Sequence, residues 1–176
     1  MRGALLTLWA ALAVWLSVVS APTFAADAAA TASGTDVQQV NAFIDEWHDD
    51  AAHARPRFFD KMAPGAIYIG TDKTERWTRD ELKAWSKKYF ERPSAWAFKP
   101  IKRHVAFSAD RQFIWFDEQL DTQMGVCQAS GVMQRTANGL QILHYQLSLA
   151  VPNELVDQFK DAIGKVDARS AAGKGK

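Results

Sequence analysis

Hydrophobic residues recur with two different periods along the chain, and the period changes near residue 96. Over residues 37–53 they return every three or four positions, which predicts an amphipathic helix with one buried face. Asp36 stands at the expected N-cap of this helix, with Gln39 as its reciprocal partner. Beyond residue 96 apolar and polar residues alternate, which predicts strands at about 96–107, 112–122, 126–136 and 140–151.

The segment between these halves predicts two further helices and one short strand. Residues 55–64 have the pattern of a short helix that ends at Pro64-Gly65, and residues 66–70 follow as a strand. Thr78 and Glu81 have the spacing of a capping box, so a third helix is expected to begin there. Helices followed by a strand meander predict an α+β fold, in which the N-terminal helices cover the concave face of a curved antiparallel sheet.

The N-terminus has the three-part form of a secretory signal peptide. A single charge at Arg2 precedes a long apolar run, and the small residues Thr23 and Ala25 flank the expected cut. A membrane anchor is the alternative, but the helix-breaking Pro22 favours cleavage and export to the periplasm or the medium. The expected organisation is a signal peptide (1–25), a flexible lead-in (26–35), one folded domain (36–155) and a C-terminal helix with a disordered tail (156–176).

Composition narrows the possible partners. Without residues 1–25 the chain has 20 basic and 20 acidic residues. A net charge of zero gives no electrostatic attraction to nucleic acid or to an anionic membrane. Cys127 is the only cysteine, so an internal disulfide is excluded, and it is more typical of a small buried apolar residue than of a nucleophile.

Four segments together are similar to one protein family. GTDKTERW, WFDEQLDT, CQASGVM and HYQLSLAVPNEL resemble the SnoaL-like domain of the nuclear transport factor 2-like superfamily, over roughly residues 37–155. The resemblance implies a cone-shaped α+β barrel with a pocket between the helices and the sheet, often dimeric through the sheet. Relatives include ketosteroid isomerase-like enzymes, cyclases, dehydratases, epoxide hydrolases and domains without a known reaction. Many members carry Arg-Gly where this chain has Gln128-Ala129, and Asn in place of Gln146, so a charge expected in the interior is missing.

Alternation singles out two charged residues on the apolar strand faces. Glu118 shares a face with Ile114, Phe116 and Leu120, and Arg103 shares one with Ile101, Val105 and Phe107. A carboxylate inside an apolar cone is either a tuned general base or half of a buried ion pair. Desolvation alone would raise the pKa of Glu118, whereas contact with Arg103 would lower it. The ion pair is the favoured interpretation, and it could still orient a polar ligand.

Other candidate site residues follow from position and chemistry. Asp72 lies at the mouth of the cone as a possible base, although an Asx turn is the favoured interpretation. Glu75 and Arg76 also have no role in local structure. The expected ligand-binding residues are Trp47, Tyr68, Arg103, Gln128 and Tyr145, with plain core packing as the alternative for the aromatic ones.

Neither a metal nor a cofactor is expected. His48 and His53 are five positions apart and do not share one helix face, unlike the histidine pair of a zinc protease. Three functions remain: a domain that binds a small apolar ligand, a cofactor-independent isomerase, cyclase or dehydratase that uses Glu118 or Asp72 as general base, and a dimerisation module. Binding ranks first, with the enzyme close behind.

Overall fold

The computed structural model describes residues 34–173. The helices are α1 (Gly34–Ala52), α2 (Arg57–Asp60), α3 (Arg79–Phe90) and α4 (Val156–Gly173), with a 3-10 turn at Asn153–Leu155. The strands are β1 (Met62–Ile69), β2 (Arg76–Thr78), β3 (Phe98–Phe107), β4 (Phe113–Thr122), β5 (Gly125–Thr136) and β6 (Gly139–Leu149). The predicted signal peptide lies outside the described residues. Within residues 34–173 no helix is both long enough and apolar enough to cross a bilayer.

Six strands form one curved sheet in the order β2-β1-β6-β5-β4-β3. Strands β3 to β6 are the predicted antiparallel meander, and β1 joins it by pairing in parallel with β6. Helix α1 buries the apolar stripe predicted from the sequence, including Val40, Ile44 and Trp47. The ring of Trp47 stacks on Phe58 at 4.8 Å, and its Nε1 donates to the Phe58 carbonyl at 2.9 Å. The α+β class and the helix-covered sheet are therefore confirmed.

Two predicted boundaries near the N-terminus are wrong. Helix α1 already begins at Gly34, so Asp36 lies in its first turn, where it pairs with Arg111 rather than capping the helix. Helix α2 has only four residues, and β1 starts at Met62. Pro64-Gly65 therefore lies within β1, where the pairing with β6 shifts register between Met62 and Ile67. A proline without an N–H group is tolerated at such a break in the ladder.

The facing of β3 differs from the prediction at one residue. Ile101 was expected to point inward with Arg103, but its side chain is 56% exposed. The pairing with β4 shifts register between Pro100 and Lys102, and a one-residue slip sends the neighbouring side chain to the opposite face. Arg103, Val105 and Phe107 keep the predicted inward direction.

The two later helices show one agreement and one difference. The capping box is present, because Thr78 N donates to Glu81 Oε2 at 2.8 Å and Glu81 N donates to the Thr78 hydroxyl at 3.4 Å. Helix α4 runs from Val156 to Gly173 and so occupies most of the segment 156–176, for which a helix followed by a disordered tail is predicted. Its residues are exposed, and Lys73 Nζ reaches Asp167 at 2.6 Å.

Candidate functional site

The inner face of β4 carries the predicted carboxylate into the core. Residues Ile114, Phe116 and Leu120 of this strand are buried, and Glu118 is buried with them. Its neighbour on β3 is Arg103, whose Nε donates to Glu118 Oε2 at 2.8 Å. The side chain of Arg103 is 6% exposed and that of Glu118 is 0% exposed. The predicted ion pair between Arg103 and Glu118 is therefore present.

Helix α1 supplies further partners to this pair. Arg103 Nη1 donates to Asp45 Oδ1 at 2.8 Å. On the other side of the carboxylate, His48 Nε2 lies 2.8 Å from Glu118 Oε1. Because an ionised carboxylate only accepts hydrogen bonds, Nε2 is the nitrogen that donates. The Tyr145 hydroxyl also donates to Oε1, at 3.2 Å. Both oxygens of Glu118 are thus occupied by protein donors.

Sequence reasoning missed His48 as part of this network, because it was considered only as a metal ligand. The helical period would have found it, since His48 follows Ile44 by four positions and lies beside Trp47 on the buried face. A buried imidazole on an apolar stripe needs a polar partner across the core. Glu118 was the one carboxylate already predicted to face that way.

The electrostatics of this network oppose general base catalysis. Burial raises the pKa of Glu118, but the hydrogen bond and charge of His48 and the charge and hydrogen bond of Arg103 outweigh it, so the pKa is held below its ordinary value. Burial together with the nearby Glu118 raises the pKa of Tyr145. The carboxylate therefore stays ionised and fully hydrogen-bonded, which is the behaviour of a structural ion pair.

Asp72 lies outside the core, on the loop after β1. Its Oδ1 accepts from the Thr74 backbone N–H at 2.8 Å and from the Thr74 hydroxyl at 2.6 Å, which is an Asx turn. These hydrogen bonds lower the pKa of Asp72. The favoured interpretation of Asp72 as a turn residue is thus supported by its contacts.

The predicted ligand-binding residues separate into three environments. Trp47 and Tyr145 are fully buried in the core, and the side chain of Arg103 reaches into it with 6% of its surface exposed. Gln128 points to the outer face of the sheet, where it lines an open polar groove of about 530 Å³ with Lys102 and His104. Glu118 reaches this groove only through its backbone, because its side chain is fully enclosed. Of the five residues, only Tyr68 borders the pocket described next.

An aromatic pocket of about 170 Å³ opens between the β1–β2 loop, α3 and the β4–β5 turn. We call it the mouth pocket. Three tryptophans line it, with the ring centroids of Trp77 and Trp85 4.6 Å apart and those of Trp85 and Trp96 6.3 Å apart. Tyr68 and Phe98 close its inner end, and Glu75 stands at its edge.

Sequence reasoning did not place the three tryptophans in a pocket. Trp77 directly precedes the predicted capping box, Trp85 falls within the helix expected behind it, and Trp96 is the first residue of a predicted strand. In the structure Trp85 is 40% exposed and Trp96 lies in the link before β3, so their rings project from the end of the helix layer. Within residues 34–173 no group of three or more His, Cys, Asp or Glu side chains could hold a metal ion. Cys127 is buried beside Thr122.

Comparisons with known proteins agree with this architecture. The model of the SnoaL-like domain family matches residues 40–152, more than half of the chain. No curated protein matches the sequence. Among solved structures, an NTF2-like protein of unknown function from Pseudomonas putida has a TM-score of 0.57 at 11% identity, covering 69% of this chain and 92% of its own.

Two further structures carry names that suggest enzymes. A candidate dehydratase of the NTF2-like family from Streptomyces avermitilis has a TM-score of 0.54 at 15% identity, covering 67% of this chain and 98% of its own. A candidate ketosteroid isomerase from Parabacteroides distasonis has a TM-score of 0.52 at 16% identity, with coverages of 64% and 86%. At such identities the likeness establishes the fold alone.

Proposed function

Because the chain belongs to the SnoaL-like domain family, we propose that this domain binds a small, largely apolar molecule in the mouth pocket. The observation that carries the proposal is the group of three half-exposed tryptophans around one opening, next to Tyr68 and Phe98. Concave, mostly apolar sites with a few polar groups are the usual form of small-molecule sites.

The volume of the pocket limits what it can hold. A dry cavity of about 150 Å³ accommodates a benzene-sized molecule. The mouth pocket, at about 170 Å³, therefore fits one ring or a group of similar size, and a larger ligand would project through the open side. Stacking on Trp85 and Trp96 would contribute beyond the burial of apolar area.

An enzyme that uses a pocket carboxylate is the second candidate, and the geometry gives it less support. Glu118 is enclosed by Arg103, His48 and Tyr145 and does not line the mouth pocket. Asp72 is held in its Asx turn. Neither of these two predicted bases is placed to take a proton from a molecule in the mouth pocket, so Glu118 and Asp72 give no support to the isomerase, cyclase or dehydratase alternative.

The proposal includes location and assembly. The signal-peptide pattern of residues 1–25 supports a periplasmic or secreted protein. Phe113 and Trp115 on the outer face of β4 are 43% and 47% exposed, and an exposed apolar sheet face favours a homodimer through that face. A dimerisation module without a ligand is the third candidate, which rests on these two residues alone.

The proposed function is tested by titrating the protein with toluene and with cyclohexanol while following tryptophan fluorescence. We expect saturable binding that Trp85→Ala weakens about three- to tenfold, since a stacked aromatic contact is lost. Trp115→Ala is the matched control, because this tryptophan is similarly exposed but lies on the outer sheet face. Equal effects of the two substitutions, or no saturable binding of either probe, would contradict the proposal.

A further inference from the structure

We propose that the mouth pocket selects organic cations, specifically ligands that carry a trimethylammonium-type group; this rests on the ligand-binding function proposed above. Of the eleven residues that line the pocket, Glu75 alone is charged. Its carboxylate and the surrounding tryptophan faces are the two features that recognise such a cation.

The position of Glu75 is fixed by its loop. Its backbone carbonyl accepts from Gly70 N at 2.8 Å, and its own N–H donates to the Asp72 carbonyl at 2.9 Å. Oε2 accepts from the Asp72 backbone N–H at 3.1 Å. The carboxylate lies so close over Gly70 that a Cβ there would collide with it. The charge is therefore held at the pocket edge rather than free to swing into solvent.

Glu75 differs in its ionic surroundings from the buried carboxylates Asp50 and Glu118, which both form ion pairs. Asp50 is surrounded by Arg55, Arg57 and Lys61, and Glu118 is paired with Arg103. In residues 34–173 no Lys, Arg or His lies within ion-pair distance of Glu75, although its side chain is partly buried beside aromatic rings. A partly desolvated charge without a counter-charge is unfavourable. A bound cation would offset that cost.

The walls of the pocket suit a quaternary ammonium group better than a primary amine. Tryptophan gives the strongest cation–π attraction of the three aromatic side chains, and Trp77, Trp85 and Trp96 all line the pocket. Burial raises the pKa of Tyr68, and the charge of Glu75 raises it further. The charge of Glu75 therefore also acts at the inner end of the mouth pocket. A group without N–H donors needs few hydrogen-bond acceptors, and five of the eleven residues that line the pocket are aromatic. A permanently charged group also cannot lose a proton on burial.

The test compares choline with its neutral carbon isostere, in which a tert-butyl group replaces the trimethylammonium group, by isothermal titration calorimetry on the full chain. Shape and size are matched, so the difference in affinity reports the charge. We expect choline to bind about tenfold more tightly, within the range of a partly desolvated cation–π and charge interaction. Glu75→Gln should weaken choline binding about tenfold and leave the isostere unchanged.

Asp72→Asn is the matched control. It removes a charge from the same loop but keeps the side-chain oxygen of the Asx turn, and Asp72 does not line the pocket. Choline binding should survive this substitution. A similar loss in Asp72→Asn and Glu75→Gln would overturn the assignment, because it would report the general charge of the loop.

Failure of this inference is distinguishable from failure of the proposed function. If the isostere binds the wild-type protein as tightly as choline, or if toluene and cyclohexanol bind while choline does not, cation selection is wrong and apolar binding stands. If none of these four compounds binds, both proposals are wrong.

Discussion

Arg103 Nε and Glu118 Oε2 lie 2.8 Å apart on directly paired positions of β3 and β4, inside the core of the domain. His48 and Tyr145 complete the shell around the carboxylate. The network joins α1 to three strands of the sheet, β3, β4 and β6. Its position indicates that it fixes how the helix lies on the sheet.

Replacing Glu118 with Gln should destabilise the fold strongly. The substitution keeps the shape of the side chain but removes the buried counter-charge of Arg103, which then has only the half-exposed Asp45 as an ionic partner. Breaking a buried pair in this way costs about 3 kcal/mol in the free energy of unfolding. Urea denaturation followed by circular dichroism measures it.

Asp117→Asn is the control for that experiment. Asp117 is the adjacent residue of β4 and pairs with His104, but both side chains are more than half exposed. We expect a change within about 0.5 kcal/mol, as for most surface substitutions. Wild-type stability of Glu118→Gln would show that the pair is dispensable for folding, and the catalytic interpretation would have to be reconsidered.

Stability should fall as the solution is acidified. The native pKa values of Glu118 and Asp50 are both lowered relative to ordinary values of 4.5 and 3.8, so the folded state holds fewer protons than the unfolded state. The stabilising contribution is complete above the unfolded pKa and is lost as pH falls through the folded pKa. Urea midpoints should therefore be level near neutral pH and drop below about pH 5.

The Glu118→Gln variant separates the two carboxylates in this experiment. With Glu118 removed, only Asp50 and the surface carboxylates can respond, so the midpoint should fall less steeply with acid than in the wild type. A parallel decline of both proteins would mean that Glu118 contributes nothing to the pH dependence.

Gly131 is required by close packing within the sheet. A Cβ at this position would lie 2.5 Å from two ring carbons of Phe116 and 3.0 Å from the His144 carbonyl. Gly131→Ala should therefore cost about 1–3 kcal/mol through overpacking. Gly65→Ala, also within a strand but with open space around the new methyl group, should cost little. Thermal unfolding of the two variants side by side measures both losses of stability. Equal losses would contradict the steric argument.

The proposed homodimer predicts an effect of charge on the outer sheet face. Trp115→Lys should shift the protein from dimer to monomer in sedimentation velocity, because a buried unpaired charge opposes association. Ile163→Lys on α4 is the comparison, since Ile163 is equally apolar and 54% exposed but lies on a different surface. If only Ile163→Lys dissociates the dimer, the interface lies on α4 instead. If the wild-type protein is a monomer, the proposed homodimer is wrong.

The sequence predicts strand facing well where the ladder is regular and poorly where it is interrupted. Glu118 and Phe116 face as alternation requires, because β4 pairs with both neighbours without a break along its central residues. Ile101 does not, because the shift of register beside it depends on long-range pairing that local pattern cannot show. The Pro64-Gly65 pair predicts a helix end but lies within β1, because the shift of register between Met62 and Ile67 also depends on long-range pairing.

The candidate site was predictable only in part. The Arg103–Glu118 pair followed from two alternating strands that each carry one charge among apolar residues. The mouth pocket did not, since Trp77, Trp85 and Trp96 come from three separate elements and meet only when α3 docks against β1. Glu75 has no role in the predicted turn or helix cap. This lack of a local role was the signal in the sequence that pointed to the mouth pocket.

The parallel pairing of β1 with β6 sets the order in which the domain can be completed. Tyr68 lies opposite Tyr145, and Met62 opposite Ile142, so this junction pairs an early segment of the chain with the last strand of the sheet. During synthesis α1 and α3 can form early, but β1 has no central neighbour until β6 has emerged, and such distant contacts close slowly. The ribosome must therefore release nearly the whole domain before its interior can close.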